Sequence, residues 1–175
     1  MSTRGLCPWE IDEARRVFGD TIDWAKVQIE ESAGWPRLLS SSAARLRQRS
    51  APAHNAVTLG HRIYFSRQLH TDPREAPAQR RADLAWLVHE LTHVWQFSRF
   101  GGSALLKMIR LHLRPQVDPY DYGGASGLSD GPTAKALSDF TLEQQAEIAR
   151  DYYARLDAGE DTLAWDPLVS TLRLT

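Results

Sequence analysis

Leu87-Val88-His89-Glu90-Leu91-Thr92-His93-Val94-Trp95-Gln96 is the stretch on which the reading of this chain turns. It sits inside a longer pattern. Leu84, Val88, Leu91 and Trp95 recur at helical spacing, and Gly101-Gly102 supplies a stop. A helix over residues 78–100 with one buried face is therefore predicted. On that helix His89 and His93 lie four residues apart, which stacks both imidazoles on one side with β-carbons about 6 Å apart. Two neutral imidazoles so placed can share one Zn²⁺ at about 2.0–2.1 Å. Glu90 is rotated roughly 100° from His89, so it flanks a metal held there and can take a proton from the water that the metal polarises. This is the physical content of the His-Glu-x-x-His pattern: two ligands and one general base on a single rigid element. At ordinary residue frequencies a random chain of this length shows it on the order of once in two hundred.

Two histidines do not complete a catalytic zinc site, which usually has three protein ligands and an open position. The chain has one cysteine, Cys7, so no intramolecular disulfide or Cys-rich zinc site can form and the missing ligand must be His, Asp or Glu. A second helix offers it. Thr141 and Gln144 have capping-box spacing, and the pattern runs on to about Leu156. Glu143, Glu147 and Asp151 repeat every four residues along one side of it. One Glu would bind the metal, and another carboxylate would orient a histidine by accepting its second N–H. Helical geometry allows Glu143 or Glu147 as the ligand. In isolation such spacing is more often a solvated acidic stripe.

The remaining sequence bounds the setting. With 175 residues and 42% hydrophobic content, the chain can bury one core, and residues 1–175 read as a single domain. A net charge of −1 argues against a nucleic-acid partner, and no run of about eighteen apolar residues is present to span a membrane. Residues 1–10 lack the apolar core of a signal peptide, so the chain reads as cytoplasmic as made, with any export requiring a signal-independent route. Residues 8–18 predict a short helix opened by Pro8 and stopped by Gly19, and residues 22–30 a strand. Residues 57–66 predict a hairpin, with Gly60-His61 at the turn, or else one unbroken strand. Basic residues 40–50 and apolar residues 103–113 predict two further helices. Residues 116–138 form a Gly/Pro/Asp/Ser-rich loop long enough to suggest a functional role. His54, His61, His70 and His112 lie in no motif and read as surface or turn residues, and the tail from Asp157 carries no clear signal.

The run from Leu87 to Gln96 resembles the gluzincin-type metallopeptidase domains at the C-termini of some type VI secretion spike (VgrG-type) proteins, and related stand-alone bacterial proteins. Residues 8–29, the hairpin at 57–66 and the run Phe140-Thr141-Leu142-Glu143-Gln144-Gln145-Ala146-Glu147-Ile148, with Asp151-Tyr152-Tyr153, are similar to that family's opening elements, hairpin and downstream ligand helix. The resemblance covers residues 8–156. It implies His89, His93 and Glu143 as ligands of one Zn²⁺ and Glu90 as base, with Glu147 and Asp151 as supporting or alternative ligands. No third His follows His93 at the short metzincin spacing. Tyr120-Asp121-Tyr122 resembles a Tyr-containing stretch of the same family. A Tyr120 phenol near the open metal position would stabilise an oxyanion, although two loop-anchoring tyrosines are the equally good structural account.

The fold expected is α+β, a minimal zincin-like domain, mostly helical with a small, mainly antiparallel sheet. The function expected is zinc-dependent hydrolysis of a peptide or protein substrate. The resemblance adds secretion-spike proteins as partners and a bacterial secretion effector as the biological role. Two rivals stand beside it: an inactive or structural zinc module that acts by binding, as a secretion-linked adaptor or toxin, and a general intracellular processing peptidase. A base at Glu90 argues against the first, because a closed structural site has no use for one.

Overall fold

A computed structural model describes residues 3–34, 56–102, 119–130 and 133–174. The helices expected over 40–50 and 103–113 lie outside the described residues, as do His54 and His112.

The chain opens with β1 (Thr3–Arg4) and α1 (Pro8–Phe18), where Pro8 occupies the first turn as expected. The strand expected over 22–30 is shorter. A 3₁₀ turn occupies Trp24–Lys26, and only Gln28–Glu30 forms β2. The hairpin is β3 (Ala56–Leu59) and β4 (Arg62–Phe65). Its turn has positive φ at Gly60 and not at His61, the pattern of a type II′ turn, in which the first central residue must be glycine-like. The four strands form one sheet in the order β1-β2-β4-β3. The outer pairs are antiparallel, and the central β2–β4 pair is parallel, with Ile29 opposite Ile63. Thr58 lies opposite Ile63 on β3, so both point to the core face of the pleat, while Leu59 is exposed.

The long helix α2 (Pro77–Phe100) ends at Gly101, whose φ is positive. It was expected to bury one face. Every residue from Asp83 to Gln96 is buried, so the helix is enclosed around its whole circumference over these residues. It packs on α4 (Leu142–Ala158), on β3 and on α1. Phe65 meets Trp86 edge to face at 4.7 Å where sheet and helix join. Thr141 caps α4 through a reciprocal capping box with Gln144, as its spacing predicts.

The described part of the 116–138 loop contains local structure. A short helical turn, α3 (Gly124–Gly127), is followed by a small ladder of β5 (Ser129–Asp130) on β6 (Thr133–Ala134) and a 3₁₀ turn at Leu137–Asp139. Gly127 seats against the Tyr122 carbonyl so closely that an added Cβ would lie 1.8 Å from its oxygen. Only glycine fits there.

The tail is part of the core. Helix α5 (Asp166–Ser170) and a 3₁₀ turn at Thr171–Arg173 pack against α1 and α4 and bury Trp165, Leu168, Val169 and Leu172. These positions are too few and too irregular to show helical periodicity, which is why the sequence alone did not reveal them. Arg173 donates to the Arg16 carbonyl, tying the tail to α1. Among the described residues no helix is long and apolar enough to cross a membrane.

Leu172 is fully buried, so Leu172→Ala should lower unfolding stability by about 2–5 kcal/mol. Urea denaturation of the variant against wild type checks this. A change below about 0.5 kcal/mol, the size of an ordinary surface substitution, would show that the tail is not part of the cooperative core.

Candidate metal centre

The enclosed stretch of α2 carries six polar side chains: Asp83, His89, Glu90, Thr92, His93 and Gln96. Burying such groups is costly unless each is paired. Arg67 forms a bidentate ion pair with Asp83, which also accepts from the His70 amide. Thr92 donates back to the Val88 carbonyl at 2.9 Å. The other four form a single cluster with α4 and β3.

His89 and His93 stand one above the other with ring centroids 5.0 Å apart. Glu143, in the first turn of α4, reaches between them. Its Oε2 lies 3.5 Å from Nε2 of His89 and 3.5 Å from Nε2 of His93. The three donor atoms all lie within 4.8 Å of one another, and all three residues are buried. Neighbouring ligand atoms around a tetrahedral zinc at about 2.05 Å are roughly 3.3 Å apart, close to the two separations of 3.5 Å between Glu143 and the imidazoles. Two imidazole nitrogens and one carboxylate oxygen also suit a borderline-soft divalent ion. By donor type and by spacing, the set could hold a metal ion.

Glu147, one helical turn beyond Glu143, has a different place. Its Oε1 lies 3.0 Å from Nδ1 of His89, the ring nitrogen facing away from Glu143. Arg150 clamps the same carboxylate, with contacts of 3.0 Å and 2.5 Å. Asp151 stands outside the cluster. It accepts from the Tyr122 hydroxyl at 2.6 Å and pairs with Arg150. Tyr122 also accepts from the Trp165 indole, so the buried Tyr122 anchors the loop to α4 and to the tail. Burial, followed by the Asp151 carboxylate, holds its phenol well above the ordinary range. Tyr120 is exposed, with its ring 6.3 Å from that of His89.

Glu90 points to the sheet side. The Thr58 hydroxyl on β3 donates to its carboxylate at 2.7 Å. Thr58 is a residue that sequence reasoning missed. It lies 32 positions away and carries no local motif, so only the packing of β3 on α2 reveals it. Gln96 was missed as well, although a signal existed: it lies at i+3 from His93, and its Oε1 is 2.9 Å from Nδ1 of that ring.

The carboxylates around the two imidazoles favour their protonated forms. Burial alone would lower the His89 imidazole, but hydrogen bonds to Glu143 and Glu147 outweigh it and raise the pKa to about 10. His93 is raised too, against the same burial, chiefly by the Glu143 charge. The paired imidazoles hold the Glu143 carboxyl far below its usual range despite its burial.

Residues 23–101 match the eCIS core domain. That segment contains the sheet-to-helix part of the fold and both histidines. Over 156 residues, 86% of the chain, the sequence is 31% identical to the type VI secretion system spike protein VgrG2b of Pseudomonas aeruginosa. The chain spans 13% of the length of that relative. Among solved structures, the effector domain of Pseudomonas aeruginosa VgrG2b superposes with a TM-score of 0.54 at 23% identity, covering 94% of this chain and 80% of that one. The two share a fold of mixed α and β composition.

A metal entering this cluster must displace at least one imidazole proton. Because the His89 pKa is raised to about 10, zinc affinity should climb as pH rises from 6 to 8, by about tenfold per unit for each proton displaced. Competition titration against a chelator measures it. Wild type should hold one ion per chain. Glu143→Ala should abolish tight binding, and Glu147→Ala should weaken it about 10–100-fold. Equal affinity in all three proteins would remove α4 from the site.

Proposed function

We propose that this chain is a zinc-dependent peptidase of the His-Glu-x-x-His type and that it serves as a type VI secretion effector. The observation that carries the chemistry is the convergence of His89, His93 and Glu143 on one point, with Glu143 3.5 Å from each imidazole nitrogen and Glu90 on the neighbouring face of the same helix. His89, His93 and Glu143 would hold the ion. Bound there, zinc supplies Lewis acidity toward a carbonyl and lowers the pKa of water toward neutrality.

The chain's own groups do the remaining work. Glu90 takes the proton of the attacking water and returns it to the leaving amine. The Thr58 hydroxyl fixes the carboxylate for both transfers. Glu147, braced by Arg150, accepts from Nδ1 of His89 and so keeps Nε2 available as a ligand. Tyr120 lies on the His89 side, where a phenol can donate to an oxygen that gains charge during attack. Among the described residues strand β3 is an outer strand of the sheet, and it carries Thr58. An extended peptide pairing with it would run beside Glu90. The α+β fold, with the ligand helix α2 between sheet and α4, supports a minimal zincin-like architecture.

The likeness to a spike protein and to its effector domain supports the biological half of the proposal. On that reading the protein leaves the cell by a signal-independent route alongside spike proteins and acts on a peptide or protein substrate.

Glu90→Gln is the decisive variant. It should retain one zinc per chain and lose hydrolysis of a fluorogenic peptide library by about 10²–10⁴-fold. Undiminished hydrolysis in that variant would sink the mechanism. Tyr120→Phe should lower kcat by about 10²-fold or more with KM little changed. A fall in KM-dependent binding alone would assign Tyr120 to substrate contact.

A further inference from the structure

Gln96 and Gln145 form a buried pair beneath the candidate metal centre, and their hydrogen bonds have a direction. Gln145 lies on α4, next but one to Glu143, and its Nε2 donates to the Leu137 carbonyl at 3.1 Å and to the Phe140 carbonyl at 3.0 Å. Those carbonyls can only accept, so the amide end of Gln145 is committed to them. Its Oε1 then faces Gln96 and accepts from Gln96 Nε2 at 3.0 Å. Gln96 Nε2 also donates to the Leu142 carbonyl at 2.9 Å. Both N–H bonds of each amide are thereby used. The oxygen of Gln96 is left for Nδ1 of His93, 2.9 Å away. A flipped Gln96 amide would set its oxygen against both the Leu142 and Gln145 oxygens. In this enclosed place, with Gln96 fully buried and Gln145 6% exposed, water cannot repair the mismatch.

We infer that this amide relay makes Gln96 a positioning residue that holds the His93 proton on Nδ1 and so keeps Nε2 as the metal-facing donor. The inference rests on the metal-centre reading above. Three backbone carbonyls, of Leu137, Phe140 and Leu142, decide the protonation pattern of a side chain more than forty residues earlier in the chain. They are also the carbonyls that lead into α4 just ahead of Glu143. The relay therefore ties two ligands together, one through its tautomer and one through the seating of its helix. His89 has an acidic counterpart in Glu147, whereas His93 is served by a neutral amide. Only the neutral partner depends on a fixed amide orientation, since a carboxylate accepts through either oxygen.

The test uses the whole chain loaded with zinc. In wild type, long-range ¹H–¹⁵N spectra of the histidine rings should show His93 protonated at Nδ1, with that proton protected from solvent exchange. Gln96→Met removes both ends of the amide at nearly constant volume. It should lower zinc affinity about 10–100-fold by chelator competition, and speed exchange of the Nδ1 proton. Gln145→Met leaves the Leu142 contact in place and should have a smaller effect in the same direction. Far-ultraviolet circular dichroism shows whether each variant folds. Should Gln96→Met not fold, the wild-type spectrum still decides: metal bound through Nδ1 of His93, or a freely exchanging ring proton, overturns the relay. Wild-type zinc affinity and exchange retained in Gln96→Met overturn it as well. Failure of wild type to bind zinc at all would overturn the metal centre first and the relay with it.

Discussion

The cost of burying charge between α2 and α4 is the constraint on which the rest of this structure depends. His89, His93, Glu90, Glu143 and Glu147 are all withdrawn from water. In a low-dielectric interior each would be strongly unfavourable alone. They are tolerated because they neutralise one another, and the neutralisation requires the first two turns of α4 to sit against the middle of α2. Glu143 meets both imidazoles, Glu147 meets the outer nitrogen of one, and Arg150 balances the extra carboxylate. A small shift of α4 along α2 would strand several charges at once.

Elements remote from the cluster serve that alignment. The capping box at Thr141 sets where α4 begins. Tyr122, through Asp151 and Trp165, joins the preceding loop to the outer side of α4 and to the tail. The tail in turn fills the space between α1 and α4 with Leu168, Val169 and Leu172. On the opposite side the sheet does for Glu90 what α4 does for the histidines. Its strand β3 brings one hydroxyl, Thr58, to a carboxylate that would otherwise be enclosed without a donor. Apolar packing and polar pairing therefore act through the same contacts. The packing places the elements, and the pairing penalises any other placement.

The effector domain of VgrG2b shares this fold at 23% identity, in a match that covers 94% of this protein. Cores accept hydrophobic exchange when volume and pattern are kept. A buried ring of histidines and carboxylates is far less forgiving. The matched segment, residues 23–101, runs from just ahead of β2 to the end of α2 and its glycine stop, so it leaves Glu143 outside. One polypeptide segment supplies His89, Glu90 and His93, and a separate one supplies Glu143.

By itself the sequence determined the local part of the site and most of the helices. Helical spacing alone puts His89, His93 and Glu90 together on α2, and capping chemistry alone starts α4 at Thr141, because both depend on residues within one or two turns of each other. The Gly60 turn was legible for the same reason. Tertiary structure decided everything that involved a second element. Spacing left Glu143 and Glu147 equivalent, since both lie on one face. Only the height at which α4 crosses α2 brings Glu143 to the inner nitrogens and Glu147 to the outer one. Asp151 shares the same periodicity and is carried past the histidines to Tyr122. The enclosure of α2 from Asp83 to Gln96, the Thr58 bond to Glu90 and the place of the tail in the core were equally invisible. Each is a contact between segments far apart in the chain, and periodicity records only which face of an element is apolar, never what lies against it.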